Sequence, residues 1–367
     1  MCASKRKSIS IGVEDFKTII DKNGYLIDKT LMIKDLLDST SMVTLFTRPR
    51  RFGKTLNMSM LRRFFEDERK QDGTPVDNRY LFDGLAISQC GEEYLRHQQQ
   101  HPVINLSLKS AKQPDFHMAY QCLVDEIADE FRRHKYVLDG DVLEWEMKRR
   151  YEELQTMTAD AASYAKSLGF LSKCLAKYHG TKCVILIDEY DVPLENAWFA
   201  GFYDEMIGFI RSLFESALKT NDSLEFGVIT GCLRISKESI FTGLNNLRIN
   251  TVLGYGSGDS FGFTPEEVKA MLDYYEMGAL FEEVRHWYDG YQFDQSEIYN
   301  PWSILNYVED HRLSSGAVAR PYWSNTSSNS IIRDLVENAD QEARDEIERL
   351  IAEMCIRDRR ICIRPYL

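Results

Sequence analysis

The chain is short of basic charge, of histidine, of paired cysteines and of long apolar runs. Across 367 residues, 45 Lys and Arg face 57 Asp and Glu, a formal net charge of −12. That balance excludes a surface that coats nucleic acid throughout, because such binding depends on many cations facing phosphates. It leaves room for a local basic patch. There are 7 histidines, and the eight cysteines, at 2, 90, 122, 174, 183, 232, 355 and 362, form no CxxC pair. Zinc-site and disulfide-framework readings both fail on that spacing. The longest apolar runs are short, such as 183–187, far from the roughly 18 residues of a membrane span. Lys5, Arg6 and Lys7 lead only into a short stretch before Glu14 and Asp15, which is not a signal peptide. The expectation is a cytoplasmic chain with reduced cysteines and no membrane partner.

What is present is a globular composition, 44% hydrophobic and 12% aromatic, which excludes a disordered or fibrous chain. Short apolar runs at 42–46, 102–108, 183–187, 224–229 and 249–253 alternate with longer charged, periodic stretches. Such runs read as buried strands of a parallel sheet, and the stretches between them as covering helices. An α/β domain over 1–255 follows, with a helical insert at about 109–180. The glycine cluster Gly254, Gly256 and Gly258 marks the expected boundary to a smaller unit over 256–353.

The sharpest motif is Thr47-Arg48-Pro49-Arg50-Arg51-Phe52-Gly53-Lys54-Thr55. A phosphate-binding loop needs a preceding strand, backbone N–H groups that cradle phosphates, a Lys for the β/γ-phosphates and a Thr hydroxyl for Mg²⁺. A helix starting at the loop adds its positive dipole end. The strand at 42–46 and the amphipathic pattern of Leu56, Met60, Leu61, Phe64 and Phe65 supply that context. The motif's usual first glycine falls on Arg48. Gly-Lys-Thr alone is also compatible with a plain basic turn before a helix.

A second element favours the phosphate reading. The apolar run 183–187 ends in Asp188-Glu189-Tyr190-Asp191. A buried strand ending in two acids is what a Walker B element requires, the first carboxylate for the metal shell and the next to polarise the attacking water. The run 224–229 ends at Thr230-Gly231, with Arg234 after it. Thr230 suits a water-orienting sensor at the tip of a strand lying between the two motif strands. Arg234 has two readings, γ-phosphate contact in cis or neutralisation of the loop. Arg50 and Arg51 flank the loop as nucleotide or carboxylate partners. No Asn-Lys-x-Asp base reader is present, so ATP is expected rather than GTP.

Together these motifs resemble the bacterial AAA-ATPase-like family. The resemblance rests on Tyr25-Leu26-Ile27-Asp28-Lys29-Thr30, the loop Arg48 to Thr55, Leu186 to Asp191, Thr230 to Arg234, Phe241 to Asn246, Trp287 to Tyr291 and Tyr299 to Ser303, and runs from about Ile9 to about Ile332. It implies a P-loop ATPase core of AAA-like or STAND-like kind and a smaller, mostly helical or winged-helix domain. Arg48 in place of glycine is usual in such proteins. Family members commonly continue into a PD-(D/E)XK nuclease-like domain, through which nucleic acid would be a partner; homo-oligomers are a further expectation.

The motifs themselves set the roles expected of the site. Arg50, Arg51, Phe52, Gly53, Lys54 and Thr55 bind ATP, Thr55 and Asp188 hold Mg²⁺, and Glu189, Thr230 and Arg234 carry the chemistry. Met354-Cys355-Ile356-Arg357-Asp358-Arg359 is similar to translated adapter sequence, so 354–367 are expected to be a non-native tail and the natural chain longer. Two other function classes stay open: a nucleotide-binding regulatory scaffold that does not hydrolyse, and a DNA-acting helicase suggested by the DExD shape of 188–191. The aromatic cluster around Trp287, Tyr288, Tyr291, Phe293, Tyr299 and Trp302 reads as a small-domain core, with base stacking as the alternative.

Overall fold

The computed structural model describes residues 6–233, 240–241, 246–252, 258–314 and 316–323, with 341, 344, 345, 348 and 349. Arg234 and the tail 354–367 lie outside the described residues. All five expected strands form: β1 (Val43–Thr47), β2 (Val103–Ser107), β3 (Cys183–Asp188), β4 (Leu224–Gly231) and β5 (Leu247–Asn250). They pair in the order β2-β3-β4-β1-β5, every neighbour parallel. This is a P-loop NTPase-like α/β sheet, and β4 lies between the two motif-bearing strands, where the sequence put it.

The sheet is covered on both faces, and the alternation of side chains along each strand explains why. Ile104, Leu106, Cys183, Ile185 and Ile187 face a core shared with helices Phe116–Arg133, Ser167–His179 and Tyr203–Leu218. Their neighbours Val103, Val184 and Leu186 face the helix Lys54–Phe65 with Met32, Ile33 and Phe82. A strand buried on both sides must be apolar at every position, which is why it reads as a continuous run. The helices Phe116–Arg133, Trp145–Gln155, Ala161–Ala165 and Ser167–His179 fill the chain between β2 and β3.

After β5, the described residues carry helices Pro265–Tyr274, Phe281–Tyr288 and Pro301–Leu313 and one antiparallel hairpin, β6 (Tyr291–Phe293) with β7 (Ser296–Ile298). Thr264 opens the first of these helices with a full capping box to Glu267, and Asn300 caps the last through Ser303 N–H. The expected boundary at 255/256 falls among undescribed residues, and the segment 258–321 belongs to the same compact unit as the sheet, Met1–Pro321. The second unit, Tyr322–Leu367, contributes only a few described residues. No helix among the described residues is long and apolar enough to cross a membrane. The described cysteines, Cys90, Cys122, Cys174, Cys183 and Cys232, are all free thiols.

Candidate functional site

Parallel strands bring their C-terminal ends to one edge, and there β1, β3 and β4 deliver the motif residues. The loop after β1 turns through Arg51 at φ 70° and Gly53 at φ 83° before the helix Lys54–Phe65 begins. A Cβ at Gly53 would meet nothing within 4 Å. The glycine is therefore needed for its left-handed backbone, not for space. The first-turn N–H groups that follow have no intrahelical acceptor and sit at the positive end of the helix dipole.

Lys54 is only 4% exposed. Its Nζ donates to the carbonyls of Arg48 and Pro49, each at 3.2 Å, so the loop wraps its own lysine. It also lies 3.2 Å from Cys232 Sγ and 3.4 Å from Glu189 Oε1. Burial works against the ammonium, but the facing Cys232 and Glu189 overcome it and leave its pKa raised. Thr55 Oγ1 donates to Asp188 Oδ2 at 2.7 Å, and the Thr230 hydroxyl donates to Asp188 Oδ1. Glu189 takes a left-handed backbone, φ 55°, just past the strand end. Its carboxyl is pushed up by burial against the opposing pull of Lys54.

The structure thus brings Lys54, Thr55, Asp188, Glu189 and Thr230 into one cluster. Arg50 borders the cluster, where burial is overcome by Glu195, Cys232 and Glu189, which raise its pKa, whereas Arg51 and Phe52 point elsewhere. Arg50 pairs with Glu195 at 3.4 Å, and Arg51 stacks on Trp302 with 4.1 Å from guanidinium to ring centre. Phe52, 1% exposed, packs on Tyr291 and Phe293 of the hairpin, and its carbonyl accepts from Gly262 N–H. Phe52 can serve the loop through its backbone only.

Two residues at the site escaped the sequence reading. Arg48, in the place of the usual glycine, is 1% exposed and turns away from the loop. It donates to the carbonyls of Thr47 and Asn250, each at 3.0 Å, and to Asn250 Oδ1 at 2.8 Å, with its guanidinium near the Phe261 and Phe293 rings. Burial lowers its pKa to about 10. Cys232 stands in the sequence as one of the scattered cysteines, with no motif to mark it. In the fold it touches the phosphate-loop lysine, with its thiol pushed up to about 11 by burial. The run Thr230-Gly231-Cys232 held the only signal, adjacency to the candidate sensor.

The donor set fits the groups such a site implies. A Thr hydroxyl and a carboxylate converging on one spot are hard oxygen donors of the kind Mg²⁺ takes, and a helix N-terminus with a buried Lys is built for phosphate.

Comparison with known proteins gives the same direction. A family model described as "Predicted AAA-ATPase" matches residues 10–241. A protein of Azotobacter chroococcum mcd 1, described as an uncharacterized protein in the vnfD 5' region, is 29% identical over 334 residues, 90% of this chain and 56% of the relative. The chain therefore spans a little over half the length of that relative. No solved structure matches.

Proposed function

Because the chain belongs to the AAA-ATPase-like family, and so to proteins of the P-loop ATPase kind, we propose that it binds ATP with Mg²⁺ at the β1–β3–β4 edge and hydrolyses it. The observation that carries this reading is the 2.7 Å contact of Thr55 with Asp188, 133 residues apart in sequence. Bound Mg²⁺ supplies charge neutralisation of the phosphates, with Thr55 and Asp188 as its protein ligands. Lys54 neutralises the β/γ-phosphates and so exchanges Glu189 for a phosphate partner. Glu189, released, accepts the proton of the attacking water, and its raised pKa suits that task. Thr230 orients the water from between the two motif strands. The attached segment that would respond is 258–321, since Arg48, Phe52 and Asn57 tie the loop and its helix to Phe261, Phe293 and Ser260.

One observation favours a second reading, a nucleotide-dependent regulatory module without turnover: Lys54 is already held by two carbonyls, a thiol and a carboxylate. Nucleotide titration and phosphate release by purified protein, with and without Mg²⁺, separate the two. Mg²⁺-dependent release is expected. Tight ATP binding with no release selects the regulatory module, and no binding refutes both.

A further inference from the structure

The acidic motif contains a second aspartate and a tyrosine that the proposed chemistry does not use. Asp191 is 1% exposed and Tyr190 fully buried. The left-handed turn at Glu189 sends both under the tip of β4. There Asp191 Oδ2 accepts from the N–H of Cys232 at 2.8 Å and of Leu233 at 2.7 Å. Tyr190 N–H donates to the Thr230 carbonyl at 3.0 Å, and its hydroxyl donates to the Leu233 carbonyl at 2.7 Å. Two consecutive residues thus hold both polarities of the backbone from Thr230 to Leu233. Gly231 shows how closely they fit: a Cβ there would come within 2.6 Å of the Tyr190 ring and 2.7 Å of Asp191 Oδ1.

The turn so held touches all three charged groups of the site. Its Thr230 hydroxyl reaches Asp188, and its Cys232 Sγ lies 3.2 Å from Lys54 Nζ and 3.9 Å from Glu189 Oε2. We infer that Tyr190 and Asp191 form a clamp that positions this turn for turnover, with Asp191 acting as a backbone acceptor and not as a metal ligand or proton carrier. The inference rests on the ATPase reading above. Its consequence is specific. The loop holds Lys54 through its own carbonyls, so nucleotide affinity survives loss of the clamp, whereas the placement of Thr230 and Cys232 does not. An acceptor oxygen is required at position 191, and a charge is not; burial pushes the Asp191 carboxyl up while the two N–H groups pull against it.

The test compares wild type, Asp191→Ala, Asp191→Asn and Tyr190→Phe for ATP affinity, phosphate release and amide exchange of Cys232 and Leu233. For Asp191→Ala, affinity should stay within about threefold while turnover falls about tenfold or more, a loss confined to the transition state. Asp191→Asn keeps an acceptor oxygen and should restore turnover to within about threefold of wild type. Tyr190→Phe, which removes a single hydroxyl, should lower turnover several-fold at unchanged affinity, and it decides the matter if Asp191→Ala does not fold. Asp191→Asn as damaged as Asp191→Ala, or either Asp191→Ala or Tyr190→Phe at full turnover, overturns the clamp. Wild-type protein without phosphate release refutes the ATPase reading separately. The clamp is then judged by exchange: faster in Asp191→Ala than in Asp191→Asn supports it, and equal rates overturn it.

Discussion

Two buried acid clusters occupy opposite ends of one parallel sheet, and their carboxyls are pushed in opposite directions. At the N-terminal end of β2, Glu66 and Glu130, 2% and 7% exposed, flank Arg133. Its guanidinium contacts Glu66, reaches Glu130 Oε2 at 2.8 Å and donates to the Val103 carbonyl at 2.6 Å. Arg62 adds a second cation to Glu66 at 2.8 Å. Burial pulls the Glu66 pKa up, but Arg133 and Arg62 overcome it and hold it at about 2, and Glu130 is likewise held well below its ordinary value. His134, Tyr136, His179 and Asp67 continue the network in contacts of 2.8 to 3.0 Å.

At the C-terminal ends of β3 and β4, burial wins instead, and Glu189 and Asp191 are pushed up. Glu189 faces Lys54 at 3.4 Å, a cation shared with two carbonyls and a thiol. The lesson is that burial alone does not mark a working acid. A buried carboxylate saturated by arginines holds the fold together, and one facing a lysine already shared with other acceptors can take a proton.

The largest effect that would break this contrast belongs to Lys54→Ala. ATP affinity should fall at least about a hundredfold, the order found when one member of a buried charge pair is truncated. Folding should change little, because Glu189 can take a proton once its cation is gone. Equilibrium nucleotide titration and urea unfolding read the two halves.

At the other end the asymmetry should invert. Arg133→Met leaves Glu130 buried without its guanidinium and Glu66 with Arg62 alone, and should cost about 3–5 kcal/mol of unfolding free energy. Nucleotide affinity per folded molecule should be kept. A loss below about 1 kcal/mol in urea unfolding would make the network ornamental.

Acid sharpens the same point with a smaller effect. Because the folded-state pKa of Glu66 lies below its ordinary value of 4.5, at about 2, its stabilisation is full above the unfolded value. It is lost as pH falls through that window. The loss should amount to about 3 kcal/mol from this group. Unfolding free energies between about pH 5 and pH 2 should show the decline in wild type and a weaker one in Arg133→Met.

Much of this was legible in the sequence for a physical reason. Strands buried on both faces must be apolar throughout, so the five runs announced themselves, and the motif residues Lys54, Thr55, Asp188, Glu189 and Thr230 sit at strand ends that parallel pairing brings together. The anchors of the loop were not legible. Arg48 and Phe52 look like neighbours of the phosphate site, yet their partners Asn250, Phe261 and Phe293 lie some 200 residues or more away, and no local pattern reports such a contact. The Glu66–Arg133 network was invisible too, since charges in the last turn of a helix ordinarily face solvent. Asp191, the last acid of the DExD-shaped run, gives one carboxylate oxygen to two backbone N–H groups, contacts that no local pattern reports.

The most direct test of the contrast is the rate of phosphate release by Glu189→Gln at saturating ATP and Mg²⁺. An acid poised for chemistry predicts release at least about a hundredfold slower than wild type, the usual worth of a general base. Release at the wild-type rate would contradict the account.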